Sequence, residues 1–223
     1  KAFDQEKIHE GNIGLSIDHE AVSVEVDRLL SSMSLEQQLN ELHGWQVAPI
    51  DGLYYAGGDE SLGIAPYKMV DGPRGARAGN ATAFPVAMAR GATFDVDLER
   101  RVGLAAGLEV AAKGGNVILA PTINLLRHPG WGRAQETYSE DSFHMGAMGV
   151  AFVSGAQNHV LTSPKHFALN NLEMTRFEAS ANIDIRSLHE VYLPHFKRCV
   201  VEGAAASVMS AYNKVNGDRK STR

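Results

Sequence analysis

The chain has 223 residues, of which 44% are hydrophobic and 21% charged, enough apolar content for one large domain or two small ones. Its 21 basic and 26 acidic residues give a formal net charge of −5 with no Lys/Arg run. That excludes the electrostatic footprint of a nucleic-acid or anionic-membrane binder and points to a neutral or small polar partner. The one cysteine, Cys199, excludes an internal disulfide; no Cys/His grouping has zinc spacing, and no apolar run approaches the roughly 20 residues of a membrane span.

In chain order, residues 1–20 are polar and read as a surface-wrapping arm, without a signal-peptide pattern. The chain begins at Lys1 rather than Met, so the compartment stays open, and the sequon Asn80-Ala81-Thr82 bears on it only in a eukaryotic secretory pathway. Val22, Val26, Leu29 and Leu30 recur at helical spacing over 21–32, and Ser34 with Gln37 forms a capping box that opens a second helix ending near Gly44. Tyr67–Val70 reads as a short strand. A helix over 96–113 is capped by Asp95, presents Leu98, Val102, Ala105, Leu108 and Ala112 on one face, and ends at Gly114-Gly115. Asn116–Ala120 is a buried-type strand, 141–157 a glycine-containing helix burying Ala147, Val150 and Ala151, and His159–Thr162 another strand. A helix over 185–201 contains Pro194, which should kink it; Gly203 ends it, and Ala205–Ser210 is the next strand. Cys199 reads as a small buried hydrophobe within that helix.

Alternating strands and helices predict an α/β fold with a parallel sheet, because parallel strands need crossover connections. Neither a dinucleotide-type glycine fingerprint nor a P-loop is present, and periodicity leaves a closed barrel and an open sheet equally open.

Each candidate strand is followed by polar residues: Asp71-Gly72-Pro73-Arg74-Gly75-Ala76-Arg77; Pro121-Thr122-Ile123-Asn124; Lys165-His166-Phe167 with Asn170-Asn171; and Tyr212-Asn213. Parallel strands put all their C-terminal ends on one side, where such folds place their sites. The residue types suit a sugar: Asp71 can accept from two adjacent hydroxyls while Arg77 and Lys165 donate. Gly72 and Gly75 let the loop bring Asp71 and Arg77 together, although a mutual salt bridge is the plainer reading of that pair. A second cluster, Arg127-His128-Pro129-Gly130-Trp131-Gly132-Arg133, precedes Glu136, which can hold Arg133 in place. Trp131 either stacks on a sugar face or folds onto the core, and Glu140 and Asp141 sit at a helix start, where their charge is favourable. His166 reads as a donor in a pocket. Ser163 lacks a nucleophile elbow, and the nine histidines lack metal-site spacing.

Taken together these motifs resemble the N-terminal barrel domain of glycoside hydrolase family 3, in its β-glucosidase branch. The resemblance runs from Ser34-Leu35-Glu36-Gln37 through the Asp71–Arg77 loop, Gly132-Arg133-Ala134-Gln135-Glu136, Ser139-Glu140-Asp141, Lys165-His166-Phe167, Asn170-Asn171 and Arg176 to Val208-Met209-Ser210-Ala211-Tyr212-Asn213. It implies that Asp71, Arg77, Arg133, Lys165, His166, Arg176 and Tyr212 line the subsite for the terminal sugar, with no cofactor and no metal. Ala168-Leu169-Asn170-Asn171 replaces the Gly-His of the N-acetylglucosaminidase branch, and Ser142 stands where the family usually has proline, a small loss at a helix start. The fold implied is a partial (β/α)8 TIM-type barrel lacking its last strand or strands over 34–223, preceded by an arm and first helix over 1–33.

A retaining glycosidase needs two carboxyl groups about 5–5.5 Å apart. By the resemblance, both nucleophile and acid/base lie beyond this chain, which then supplies sugar-binding groups for hydrolysis of terminal β-D-glucosyl bonds in a full-length protein. The expected partners are a β-glucoside or oligosaccharide and the missing C-terminal parts, with no nucleic acid and no membrane. The alternatives are a non-catalytic carbohydrate-binding or assembly module, and a barrel aldolase using Lys165 as a Schiff base.

Overall fold

The structure, a computed structural model, describes residues 18–45 and 52–218; most of the expected N-terminal arm lies outside them. Helix α1 (His19–Ser32) is capped by Asp18, and α2 (Leu35–Glu41) opens on Ser34 with the full capping box: Gln37 N–H donates to the Ser34 hydroxyl and Ser34 N–H to the Gln37 side chain. The apolar stripe of α1 is not covered by described residues, since Val22, Val26 and Leu30 stay 50%, 47% and 48% exposed.

Strand β1 (Tyr54–Ala56) runs antiparallel to β2 (Tyr67–Asp71), a pairing that periodicity alone does not reveal. From β2 onward the pairing is parallel, to β3 (Val117–Leu119) and then β4 (Leu161–Thr162). β5 (Lys165–Phe167) continues the same ladder: Lys165 N–H donates to Pro121 and Ile123 N–H to Lys165. β5 in turn pairs in parallel with β7 (Met209–Ser210), while β6 (Ser180–Ala181) pairs with β8 (Lys214–Val215). The α/β class therefore holds. Among described residues the strands form one four-stranded mixed sheet and two parallel pairs, and the pairings alone do not close a ring.

Several boundaries differ from expectation for local reasons. The His159 strand starts only at Leu161, because His159 and Val160 N–H groups still donate to Ala156 at the end of the preceding helix. Lys165 and His166 do not follow a strand end but form β5 itself; Pro164, with no N–H, interrupts the ladder just before them. Strand β7 is shorter than Ala205–Ser210, since the Ala206 N–H turns to the Gln157 side chain. Pro194 does more than kink its helix. Helix α6 (Ile185–Ser187) passes into a π turn over Leu188–Tyr192, and the chain restarts as a separate helix over Pro194–Val201, with proline in the first turn where no donor is needed.

Helices α3 (Ala87–Gly91), α4 (Val96–Ala112) and α5 (Ser142–Ala156) cover the sheet, and Pro194–Val201 is α7. The buried face of α4 is Glu99, Val102, Gly103, Ala106, Gly107 and Val110, rotated from the predicted stripe, with Leu108 53% exposed. Glycine explains the rotation. A Cβ on Gly103 would lie 2.3 Å from the Phe152 carbonyl, and one on Gly155 2.0 Å from the Arg100 carbonyl, so α4 and α5 meet backbone to backbone. Helix α5 lies between its neighbours and buries Met145, Met148, Ala151, Phe152 and Val153, whereas Ala147 and Val150 are only half-buried. Asp141 caps it through His144 N–H, so Ser142 in place of proline leaves its start intact. Cys199 is fully buried against this core, and burial pushes its thiol up to about 12.

Candidate sugar-binding site

The turn after β2 fixes the first part of the site. Arg77 N–H donates to the Asp71 carbonyl at 2.8 Å and Gly75 N–H to Gly72 at 3.1 Å, folding Asp71 and Arg77 back toward each other. Gly75 has φ +111°, and a Cβ there would lie 2.2 Å from the Thr82 carbonyl; a Cβ on Gly72 would lie 2.3 Å from Ile118. Both positions therefore require glycine. The far side of the loop is pinned to α4, where Glu109 accepts from Thr82 N–H and hydroxyl at 2.9 and 2.5 Å.

A buried brace lies beneath the loop. The Arg90 guanidinium donates to Glu99 at 2.8 and 3.2 Å, to the Pro73 carbonyl at 3.1 Å, and to the Pro85 carbonyl. Glu99 also accepts from the Tyr138 hydroxyl at 2.6 Å. Arg90 is 3% and Glu99 0% exposed, so this pair ties the Asp71 loop to α3, α4 and the segment before α5. Burial and then the Glu99 charge push the Tyr138 phenol well above its usual range.

Lys165 Nζ donates to Asp71 Oδ1 at 3.0 Å; the lysine is 2% exposed, the aspartate 28%. Burial lowers the Lys165 pKa, with Asp71 opposing that shift. Arg77 lies 3.9 Å from Asp71 Oδ2 but is 82% exposed, a loose contact beside a tight one, so the Asp71–Lys165 pair is the structural one rather than Asp71–Arg77. Arg133 is held by Glu136 at 2.6 and 3.1 Å, as the spacing suggested, and the Thr122 hydroxyl donates to the same Glu136 oxygen at 3.2 Å. These groups face a cavity of about 550 Å³, lined by Asp71, Arg74, Arg77, Arg133, Glu136 and Lys165 among others.

His166 stands behind Arg133. Its Nε2 is 2.9 Å from Arg133 Nη1 and its Nδ1 3.1 Å from Asn124 Oδ1, so both ring nitrogens are engaged and the free donor read from the sequence is absent. Burial first, then the charges of Arg133, Lys165 and Arg176, push its pKa down to about 2. His195, also buried, is pushed down to about 4 by burial. Both are neutral in the fold, while the unfolded chain takes up protons below the ordinary value of 6.5. The unfolded state then binds more protons, so stability falls as pH falls from about 6.5, by about 2 kcal/mol for each histidine between about pH 7.5 and pH 5. Urea titrations at the two pH values check this; equal midpoints would contradict two neutral buried rings.

Arg176 and Tyr212 do not line the cavity. Arg176 pairs with Glu173 and lies over the rings of Phe177 and Tyr212, 4.8 and 5.0 Å from their centroids. Tyr212 follows β7 and is 46% exposed. The link from this cluster to the cavity is the Arg176 charge acting on His166. Trp131 folds onto the core at 5% exposure rather than presenting a stacking face. Sequence reading passed over Arg90, Glu99 and Tyr138, although Glu99 stands one turn before Val102 and Gly103 on the face of α4 that packs. It noted Asn124 and Thr122 only as polar residues after a strand.

Residues 64–223, well over half of the chain, match the family model described as the glycosyl hydrolase family 3 N terminal domain. A beta-glucosidase of Rhizobium radiobacter is 40% identical over 203 residues, covering 86% of this chain and 24% of that protein. Beta-glucosidase B of Emericella nidulans is 36% identical over 203 residues, covering 86% and 23%. Among solved structures, beta-glucosidase 3B from Thermotoga neapolitana in complex with alpha-D-glucose superposes with a TM-score of 0.84 at 34% identity, covering 87% of this chain and 30% of that one. The chain thus spans about a quarter of the length of the curated relatives it matches. With the motifs, the fold and the family match in agreement, the chain belongs to glycosyl hydrolase family 3.

Proposed function

We propose that this chain supplies the terminal-sugar-binding groups of a retaining β-glucosidase that hydrolyses terminal β-D-glucosyl bonds, within a longer protein. The observation that carries the reading is the Asp71–Lys165 pair, in which a buried ammonium holds a part-exposed carboxylate at the wall of a cavity of about 550 Å³. Such a carboxylate accepts from two neighbouring sugar hydroxyls, and Arg77 and Arg133 donate around it. The cavity is of the size that ligand clefts take, about 300–1,000 Å³. Two similar solved β-glucosidases, from Thermotoga neapolitana and from Kluyveromyces marxianus, are complexes with glucose, which supports the same sugar here.

His166, which holds Arg133, and the Arg176–Tyr212 cluster, whose charge acts on His166, complete the proposed subsite. The parallel run from β2 through β3, β4 and β5 to β7 supports an incomplete (β/α)8 barrel over 34–223, with 1–33 as arm and first helix. In this reading the nucleophile and the acid/base come from residues other than those that line the cavity. Its carboxylates, Asp71 and Glu136, are each committed to a cation, Lys165 and Arg133, which suits them to accept from sugar hydroxyls and to hold the cationic donors in place.

Those same commitments favour the second reading, a non-catalytic carbohydrate-binding module. Release of nitrophenol from an aryl β-glucoside separates the two. The full-length protein is expected to turn it over, and the 223-residue chain to bind glucose without turnover. A full-length protein that binds but never cleaves establishes the module, and turnover by the chain alone overturns the nucleophile assignment.

A further inference from the structure

The hydrogen bonds joining Asn124, after β3, to His166 in β5 determine where the imidazole proton sits. His166 N–H donates to Asn124 Oδ1 at 2.9 Å, and Asn124 Nδ2 donates to the His166 carbonyl at 2.8 Å. A backbone N–H only donates and a carbonyl only accepts, so this doublet leaves the Asn124 amide a single orientation. Its oxygen then stands 3.1 Å from His166 Nδ1, where it needs a proton to accept. On the opposite edge of the ring Arg133 Nη1 lies 2.9 Å from Nε2. A guanidinium has donors only, so Nε2 must be bare. The two edges independently require the same tautomer. The amide is 2% exposed, and the Thr137 hydroxyl donates to its own carbonyl at 2.5 Å, so solvent does not compete for these bonds.

We infer that Asn124 is a positioning residue that locks His166 as the Nδ1–H tautomer, so that Nε2 accepts from Arg133 Nη1 and holds that guanidinium at the cavity wall. This deepens the reading proposed above and rests on it for the identity of the ligand. With Nη1 held by His166 Nε2, and Nε and Nη2 held by Glu136, the orientation of the Arg133 guanidinium is fixed from two sides. A sugar hydroxyl then accepts from the remaining Arg133 N–H groups, whereas an imidazolium at His166, having donors only, would repel the guanidinium and misplace it. The charges facing the ring are Arg133 with its partner Glu136, Lys165 on the same strand, and Arg176 on the segment after it; the three cations oppose protonation and preserve the acceptor.

The test uses full-length protein labelled with ¹⁵N-histidine, the His166 signals being identified by their loss in His166→Gln. Two-bond ¹H–¹⁵N spectra near neutral pH are expected to show the Nδ1–H pattern; an Nε2–H or imidazolium pattern overturns the inference without recourse to any variant. Asn124→Asp, of nearly the same size, puts a carboxylate at Nδ1 and should draw the ring toward imidazolium. Its kcat/KM should fall by about 10- to 100-fold and acquire an activity limb that recovers as pH rises, which simple loosening would not produce. An unchanged pH profile in that variant also overturns the role. If glucose moves none of the His166 signals while the Nδ1–H pattern persists, the sugar-site reading falls and the tautomer assignment stands.

Discussion

In the full-length protein, Asp71→Ala is expected to lower kcat/KM toward an aryl β-glucoside by on the order of 10³-fold or more. Two effects combine. The carboxylate that would accept from two hydroxyls is gone, and a site built around such bonds discriminates strongly when one partner is missing. The Lys165 ammonium, 2% exposed, also loses the counter-charge now 3.0 Å away. Burial already lowers the Lys165 pKa and Asp71 is the main opposing influence, so without it the lysine is driven further toward its neutral form. Asp71→Asn separates the contributions, keeping the shape and one acceptor while removing the charge, and should fall between wild type and alanine. Steady-state kinetics with circular dichroism as a folding control makes the measurement. A folded Asp71→Ala protein within about tenfold of wild type would remove Asp71 from the sugar site.

The second large effect is on stability. Glu99→Ala leaves the Arg90 guanidinium, 3% exposed, buried without its carboxylate and removes the acceptor of the Tyr138 hydroxyl. Breaking a buried pair from one side costs about 3–5 kcal/mol. In a chain of this size that corresponds to a Tm lower by roughly 6–20 °C. The damage should reach the site as well, because Arg90 holds the Pro73 carbonyl at 3.1 Å, two residues from Asp71. In the full-length protein carrying the same change, KM is therefore expected to rise even at temperatures where it is folded. The double change Arg90→Met with Glu99→Leu removes both charges together and should melt above Glu99→Ala. Calorimetry on the three proteins decides; a Tm within about 2 °C of wild type for Glu99→Ala would mean that the pair is not a brace.

Much of this was legible in local chemistry. The Ser34–Gln37 capping box, the Asp95 cap of α4 and the glycine-dependent turn from Asp71 to Arg77 depend on neighbours within a few residues, and each formed as its spacing dictates. The polar groups of the cavity were recognisable because their residue types recur after strands, where a parallel sheet gathers them, although Lys165 lies within β5 itself. The face of α4 was misread for a physical reason: apolar periodicity weighs side chains, whereas this helix packs by having none at Gly103 and Gly107.

What the sequence determined by itself was family membership, the α/β class and four of the seven expected site residues at the cavity, Asp71, Arg77, Arg133 and Lys165, since those follow from residue types in a fixed order. Only the tertiary structure decided how they pair. It put Lys165 rather than Arg77 tightly against Asp71, set Arg176 and Tyr212 in a cluster of their own, and turned His166 from a donor into a ring held at both nitrogens. Partners separated by dozens of residues along the chain meet only after the strands are in register, and no spacing rule anticipates which of several cations will reach one carboxylate first.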